Sequence, residues 1–324
     1  MTLPPPARYF PIRGGRYDVA PALRPLGTPF GNGEADSHVF QLDHRFSEYR
    51  ANKLACRSAP PGRHRYTSDL EPEAASQTAG FLAQQLAREH PAWFSLDGTP
   101  DGTRLDCRLT GETLHFDRAM RLTRSEGEVT YADALDALCS QFQEDLAIVR
   151  AEPGRADWLA AYQICAPTHW APEEKAGQSF AAIHVPVPGI EPITRVAGAM
   201  VDAMIHRGPF VRFVWGLDTD RRPNRHPVPL PGEEHGWPSP PFDPGLPSPF
   251  VFRVERQVMV GLPEAGAALF FIRLYLTEGA EVRADPERRR ALVSALRGMS
   301  PESRAYKGIA AYAEELMEWL EKGR

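Results

Sequence analysis

Histidine, cysteine and tryptophan side chains are concentrated in one stretch, YQICAPTHWAPEEKAGQSFAAIHVPVPG, residues 162 to 189. Two runs rich in aromatic and β-branched residues flank a charged loop there, a pattern typical of strands. His184 is followed by Pro186 and Pro188, and each proline fixes its own φ and pushes the residue before it toward extended geometry. The pattern predicts that His184 ends a strand where the backbone leaves a sheet.

An imidazole at such a position has two interpretations. Neutral imidazole is a good ligand for iron and zinc. A hydrogen-bonded interior histidine that ends an edge strand would have the same spacing, and spacing alone favours this second interpretation.

A second set of polar groups lies on the strand-like run from Phe250 to Val260. Period-two alternation puts Arg253 and Glu255 on one face and Arg256 on the other, among apolar residues. Isolated buried charges are strongly disfavoured, so the interior face must supply partners. The pattern alone leaves open a structural Arg-Glu pair on a solvated face.

Five strand-like runs between Asp157 and Tyr275 predict the scaffold that would position these residues: WLAAYQIC, FAAIHV, PFVRFVW, FVFRVERQVMV and AALFFIRLY. They do not alternate regularly with helices. We therefore expect an antiparallel sheet with helices packed on one side, an α+β arrangement. Within this strand-rich core of residues 157 to 276, a Pro-rich loop at 219 to 249 contains His226, His235 and Trp237 and could cover a pocket or dock a partner.

The flanking segments are predicted to be simpler. Residues 1 to 156 read as an N-terminal wrap, helices and a hairpin, and we expect little function in the Pro/Gly-rich first 35 residues. Residues 277 to 324 read as C-terminal helices that begin at Asp285 and Ser300. The remaining elements are a helix over 71 to 89, a hairpin over 104 to 116, and a helix from Thr130 to Glu152.

Length, composition and charge exclude several classes of function. With 324 residues, 42% of them hydrophobic and 24% charged, the chain is ordinary for one elaborated globular domain spanning 1 to 324. A net charge of −5 gives no overall positive charge that would attract nucleic acid or an anionic membrane. The four cysteines form no C-x-x-C pair, so neither a zinc knuckle nor C-x-x-C-H attachment is available, and a cofactor must be held non-covalently. No signal peptide or 18-residue apolar run is present, which predicts a cytoplasmic protein.

Three segments in order, residues 165 to 189, RFVWGLD at 212 to 218, and 252 to 276, resemble the haem-dependent oxidative N-demethylase family. The opening YFPIRGGRYDVAPALRPLG (9 to 27) and YRANKLA (49 to 55) resemble its N-terminal part. One departure is Val214, where the family motif leads us to expect Asn.

The resemblance implies a PAS-like fold around haem b, with His184 as the iron ligand and His169 as the runner-up. It implies that Arg253 and Glu255 are catalytic, Arg253 stabilising reduced oxygen and Glu255 holding the substrate ammonium or taking its proton. The remaining cofactor-binding candidates are Arg212 as a propionate partner, Arg256 as a structural or propionate partner, and Trp215.

The activity implied is oxidative removal of a methyl group from a small secondary amine such as dimethylamine, with O2 as oxidant and formaldehyde as product. Because the sequence has no Gly-x-Gly-x-x-Gly after a strand, electrons must come from a separate reductase. The alternatives are a PAS-like haem sensor or carrier without turnover, and a structural or partner-binding domain without haem.

Overall fold

A computed structural model describes residues 2 to 233 and 239 to 322, so His235 and Trp237 of the Pro-rich loop lie outside the described residues. The described strands are β1 Arg24–Pro25, β2 Arg65–Tyr66, β3 Phe94–Thr99, β4 Gly102–Cys107, β5 Glu112–Asp117, β6 Leu122–Glu126, β7 Asp145–Arg150, β8 Trp158–Gln163, β9 Phe210–Asp218, β10 Val251–Leu262 and β11 Ala267–Glu278. They form a seven-stranded sheet in the order β1-β9-β10-β11-β7-β8-β2 and a four-stranded sheet in the order β3-β4-β5-β6.

The α-helices in the same parts of the chain are α1 Phe46–Cys56, α2 Pro72–Glu89, α3 Ala134–Cys139, α4 Phe180–His184, α5 Glu191–Thr194, α6 Ala197–His206, α7 Gly279–Ala284, α8 Pro286–Arg297, α9 Pro301–Tyr306 and α10 Ala313–Glu321. None of these described helices is long and apolar enough to cross a membrane. Every pairing between the described strands named above is antiparallel, which confirms the α+β prediction. The prediction that helices pack on one side only is wrong, because helices cover both faces of the large sheet.

Local signals predicted several elements correctly. Helix α2, the β4–β5 hairpin and strands β8 to β11 lie where the sequence pattern puts them. The C-terminal helices α8 and α9 begin at the predicted caps, where the Asp285 carboxylate accepts from the N–H of Glu287 and the Ser300 hydroxyl from that of Ser303.

The prediction that His184 ends a strand is wrong, because FAAIHV forms helix α4. Ser179 caps this helix by accepting a hydrogen bond from the N–H of Ala182. Two consecutive alanines follow the cap residue Ser179 and Phe180, and alanine has the highest helix propensity. The prolines that suggested an extended run begin only after the helix has ended, at Pro186.

The helix predicted from Thr130 to Glu152 is also wrong, since α3 ends at Cys139 and Asp145 begins strand β7. The buried Lys53 ammonium stabilises the turn between α3 and β7. It donates to the carbonyl oxygens of Cys139 at 2.7 Å and Phe142 at 3.0 Å, and also to that of Glu144. Leucine and phenylalanine side chains therefore share one core without sharing one helix.

The large sheet is covered differently on its two faces. One face packs against α2, α3 and the four-stranded sheet near one end, and against α8 and α10 near the other. The second face packs against α4, α5 and α6. Gly261 lets α6 approach closely, because a Cβ there would lie 1.9 Å from the Ile205 carbonyl oxygen.

Candidate functional site

A cavity of about 1160 Å³ lies on the second face of the large sheet. It exceeds the range of about 300–1000 Å³ that is usual for small-molecule pockets. Its walls come from β9, β10 and β11, from the α4–α5 region, from the N-terminal segment and from the residues just after α9. The polar side chains that line it include His169, Lys175, His184, Arg212, Arg253, Glu255, Gln257, Tyr306 and Lys307.

Strand register places the polar residues of β10 beside those of β9. Val214 lies opposite Glu255 and Arg212 opposite Gln257, and residues paired in this way share a face. Arg253 and Glu255 both line the cavity, which confirms that they occupy one face of the strand.

Two hydrogen bonds fix the Glu255 carboxylate. The Thr168 hydroxyl donates to Oε1 at 2.8 Å, and the Gln257 amide donates to Oε2 at 3.0 Å. An ionised carboxylate has about four acceptor positions, so both oxygens keep capacity for a further donor. The Glu255 carboxylate is therefore fixed in orientation on the cavity wall and can accept a further hydrogen bond.

The Arg253 guanidinium is 1% exposed and connects the sheet to the start of the Pro-rich loop. Its Nη1 and Nη2 donate to the carbonyl oxygens of Arg222 and Pro223, each at 3.0 Å. Burial lowers the pKa of Arg253, and the carboxylates of Asp218 and Glu255 oppose that effect. Its Nε has no hydrogen-bond partner within the described residues.

Two further cations face the cavity with few partners. Arg212 has no hydrogen-bond or ion-pair partner within residues 2 to 233 and 239 to 322, and burial lowers its pKa while Glu255 opposes the shift. Lys307 donates to the Trp215 carbonyl oxygen at 2.8 Å. Burial lowers the pKa of Lys307 to about 8, with Glu255 raising it and Arg212 lowering it. An anionic ligand beside these two cations would be stabilised.

His184 lies at the end of α4 and lines the cavity. Its Nδ1 is 2.7 Å from the Phe180 carbonyl oxygen. A carbonyl oxygen can only accept, so Nδ1 carries the hydrogen and Nε2 carries the lone pair, which is the tautomer of a metal-ligating imidazole. Burial lowers the pKa of His184, which keeps the ring neutral near pH 7.

His169 also lines the cavity, in a left-handed backbone conformation with φ 62°. Its Nε2 is 2.9 Å from Oδ2 of the buried Asp218, and Arg225 contacts the same oxygen at 3.1 Å. Burial would raise the pKa of Asp218, but the hydrogen bond from His169 and the neighbouring charges hold it well below its usual range. Ligation through His169 Nε2 would break this buried hydrogen bond to Asp218.

Two predicted cofactor residues belong to the other face of the sheet. Trp215 stacks on Phe252 at 5.7 Å and also lines the cavity. Arg256 does not line the cavity, and its role as a cofactor partner stays a prediction. It donates to the carbonyl oxygens of His38 at 2.6 Å and Val39 at 3.3 Å, which is the structural alternative.

The sequence pattern missed two parts of the cavity wall. The N-terminal segment was expected to have little function, but residues between Arg8 and Arg24 line the cavity. Arginines and aromatics interleaved within that Pro/Gly-rich segment were the available signal. Lys307 follows the short helix α9, and no local pattern separates it from a surface lysine.

The donor set suits a metal that brings most of its own ligands. Within the described part of the chain, no group of three or more His, Cys, Asp or Glu side chains is arranged around a common metal position. A porphyrin supplies four nitrogen ligands and two carboxylates, so it needs one imidazole and basic partners. His184, Arg212 and Lys307 match those requirements.

Fold and site together define an α+β protein with a large cavity on an antiparallel sheet, suited to an anionic, metal-containing cofactor. A family model described as haem-dependent oxidative N-demethylase, alpha subunit-like, matches residues 32–317. The chain belongs to this family. Residues 9 to 27, whose resemblance also suggested it, precede the matched region.

Proposed function

We propose that this chain binds haem b non-covalently, that His184 Nε2 would hold the iron, and that the protein oxidatively demethylates a small secondary amine. The observation that supports this most strongly is the His184 tautomer, fixed by Phe180, in the same cavity as the held carboxylate of Glu255. In this proposal the whole chain is one haem-binding domain and the seven-stranded sheet is a PAS-like scaffold.

Two cations support the placement of the propionates. Arg212 and Lys307 both lose a large part of their hydration in the cavity wall without gaining an ion pair there. A guanidinium matches a carboxylate with two parallel hydrogen bonds. Arg212 and Lys307 would therefore hold the propionates, and Trp215 would contact the cofactor at the edge of β9.

For dimethylamine, the overall reaction takes up O2, two electrons and two protons, and gives methylamine, formaldehyde and water. Haem supplies the oxygen-activating redox chemistry when bound. Electrons would come from a separate reductase, which agrees with the alpha-subunit description of the family.

The side chains on β10 would bind the charged substrate, accept its proton and stabilise developing negative charge. Glu255 would bind the substrate ammonium and take its proton, while Thr168 and Gln257 keep the carboxylate in place. Arg253 would stabilise negative charge as oxygen is reduced. Val214, opposite Glu255, offers an apolar contact for an N-methyl group.

The first test is cofactor binding. Replacing His184 with Ala should abolish haem retention after reconstitution, measured by the Soret band, because the axial ligand is lost. His169→Ala is the matched control on the same cavity and should keep a nearly unchanged spectrum. Loss of haem in His169→Ala alone would transfer the ligand to His169, and full occupancy in both variants would refute ligation by either.

Formaldehyde release from dimethylamine and a panel of other methylated amines tests turnover, with an artificial reductase supplying electrons. Haem-loaded protein that turns over none of them would favour the sensor or carrier function. Failure to bind haem at all would remove both functions.

A further inference from the structure

A pair of cysteines lies outside the cavity, between the end of α1 and the segment after β8. Cys56 is 4% exposed and Cys165 is 1% exposed, and both belong to one buried cluster. The Cys56 Sγ is 3.8 Å from the Cys165 carbonyl oxygen, so the Cys56 thiol packs directly against Cys165 in this cluster. Both are free thiols.

His64 completes the cluster and is 3% exposed. Its Nδ1 is 2.8 Å from the Ile164 carbonyl oxygen, so Nδ1 carries the hydrogen and Nε2 the lone pair. Nε2 makes no hydrogen bond of normal geometry within the described residues. It adjoins the Cys56 thiol closely enough that each group shifts the pKa of the other. A buried base without a regular partner therefore stands beside a thiol.

Electrostatics distinguish Cys56 from the other cysteines. The Cys165 thiol lowers the pKa of Cys56 to about 7 against the effect of burial, and His64 contributes in the same direction. Burial raises the pKa of Cys139 to about 12 and raises that of Cys107 further. Because the thiolate is the nucleophile, these shifts favour Cys56 over Cys107 and Cys139 as the attacking sulfur near pH 7.

We propose that Cys56 and Cys165 form an oxidation site that a hydroperoxide converts into a disulfide. The Cys56 thiolate attacks one peroxide oxygen, the O–O bond breaks, and Cys56 becomes a sulfenic acid. Hydroxide leaves and takes up the proton that the Cys56 thiol had released, which gives the first water. Cys165 sulfur then attacks the Cys56 sulfur, the S–O bond breaks, and water leaves with the proton of Cys165. The two thiols lose two electrons, and hydrogen peroxide is reduced to two molecules of water.

The surroundings define the oxidant and connect the pair to the cavity. Asn224 and Leu230 of the Pro-rich loop contact the cluster, with Asn224 Nδ2 3.7 Å from the Cys56 Sγ. This cover favours a small oxidant over a bulky disulfide such as oxidised glutathione. Cys165 lies three residues before Thr168, so the cross-link would form in the segment that holds the Glu255 carboxylate.

The test exposes the native full chain to hydrogen peroxide or oxidised glutathione at pH 7, then alkylates remaining thiols under denaturing conditions and maps peptides by mass spectrometry. We expect a reducible Cys56–Cys165 cross-linked peptide with peroxide, little with glutathione, and unmodified Cys107 and Cys139 as internal controls. His64→Asn should slow Cys56 oxidation about tenfold, because less thiolate is present at pH 7. Cys165→Ser should stop at a sulfenic acid that dimedone traps.

Three results would overturn the proposal. They are a sulfenic acid on Cys56 without a disulfide in the wild type, equal oxidation of all four cysteines, and no oxidation of Cys56. The wild-type experiment needs no variant to fold, so the proposal stays testable if His64→Asn misfolds.

Discussion

Both faces of the large sheet carry cationic side chains, but the chain supplies partners for them differently. On the face away from the cavity, Arg273 pairs with Asp43 at 2.6 Å, donates to the Leu274 carbonyl oxygen at 2.9 Å and lies 4.0 Å from the centre of the Tyr49 ring. Arg256 donates to two backbone carbonyl oxygens. These charges have partners within the chain and hold the N-terminal half of the protein on the sheet.

On the cavity face, Arg212 has no ion-pair partner within the described residues, and Lys307 has a pKa lowered by burial to about 8. A buried charge without a partner destabilises the fold. Such charges are retained where a ligand supplies the counter-charge. Arg212 and Lys307 therefore mark the ligand-binding part of the cavity face, whereas Arg253 on the same face donates to backbone carbonyl oxygens.

The largest expected effect tests this contrast by stability. Arg273→Met should lower the free energy of unfolding of the haem-free protein by about 3–5 kcal/mol, because Asp43 is left buried and unpaired. Arg212→Met is the matched variant on the cavity face and should leave that free energy unchanged or higher. Urea denaturation followed by circular dichroism measures both.

Arg212→Met should instead weaken haem binding about 10- to 100-fold, the loss of a charge-assisted contact of about 1.5–3 kcal/mol. Equal destabilisation by both variants would contradict the contrast between the faces.

The next effect concerns turnover. Glu255→Gln keeps the shape of the side chain and removes its charge, so haem content should stay the same while kcat/KM for the amine falls about 10²- to 10³-fold. Glu264→Gln, at the exposed turn between β10 and β11, is the control and should be fully active. Full activity in Glu255→Gln would mean that this carboxylate does not act on the substrate.

The smallest effect is a pH dependence of stability. Burial lowers the pKa of Lys307 from 10.5 to about 8, so between these pH values the folded state loses the proton first. The unfolded state then binds more protons, and stability of the haem-free wild type should rise with pH relative to Lys307→Met. We expect a difference below about 1 kcal/mol per pH unit, because the ammonium is partly exposed to the cavity.

Haem loading sharpens this measurement. A propionate beside Lys307 would raise its pKa toward the ordinary value, so the extra slope between wild type and Lys307→Met should disappear in the loaded protein. Identical slopes in the haem-free proteins would show that burial does not perturb Lys307.

The sequence by itself determined features that depend on near neighbours. Alternation along β10 assigned Arg253 and Glu255 to one face and Arg256 to the other, because successive side chains of a strand point to opposite sides. Polar caps at Asp285 and Ser300 began helices for an equally local reason, since a side-chain oxygen satisfies an N–H within the next turn.

Only the tertiary structure decided which face met the cavity and which distant segments closed it. The helical state of α4 was set by the Ser179 cap and its alanines against misleading prolines, and the start of β7 by Lys53, about ninety residues earlier. The N-terminal wall and Lys307 come from opposite ends of the chain. Periodicity carries no information about such contacts, because they depend on how whole elements pack rather than on the order of neighbouring side chains.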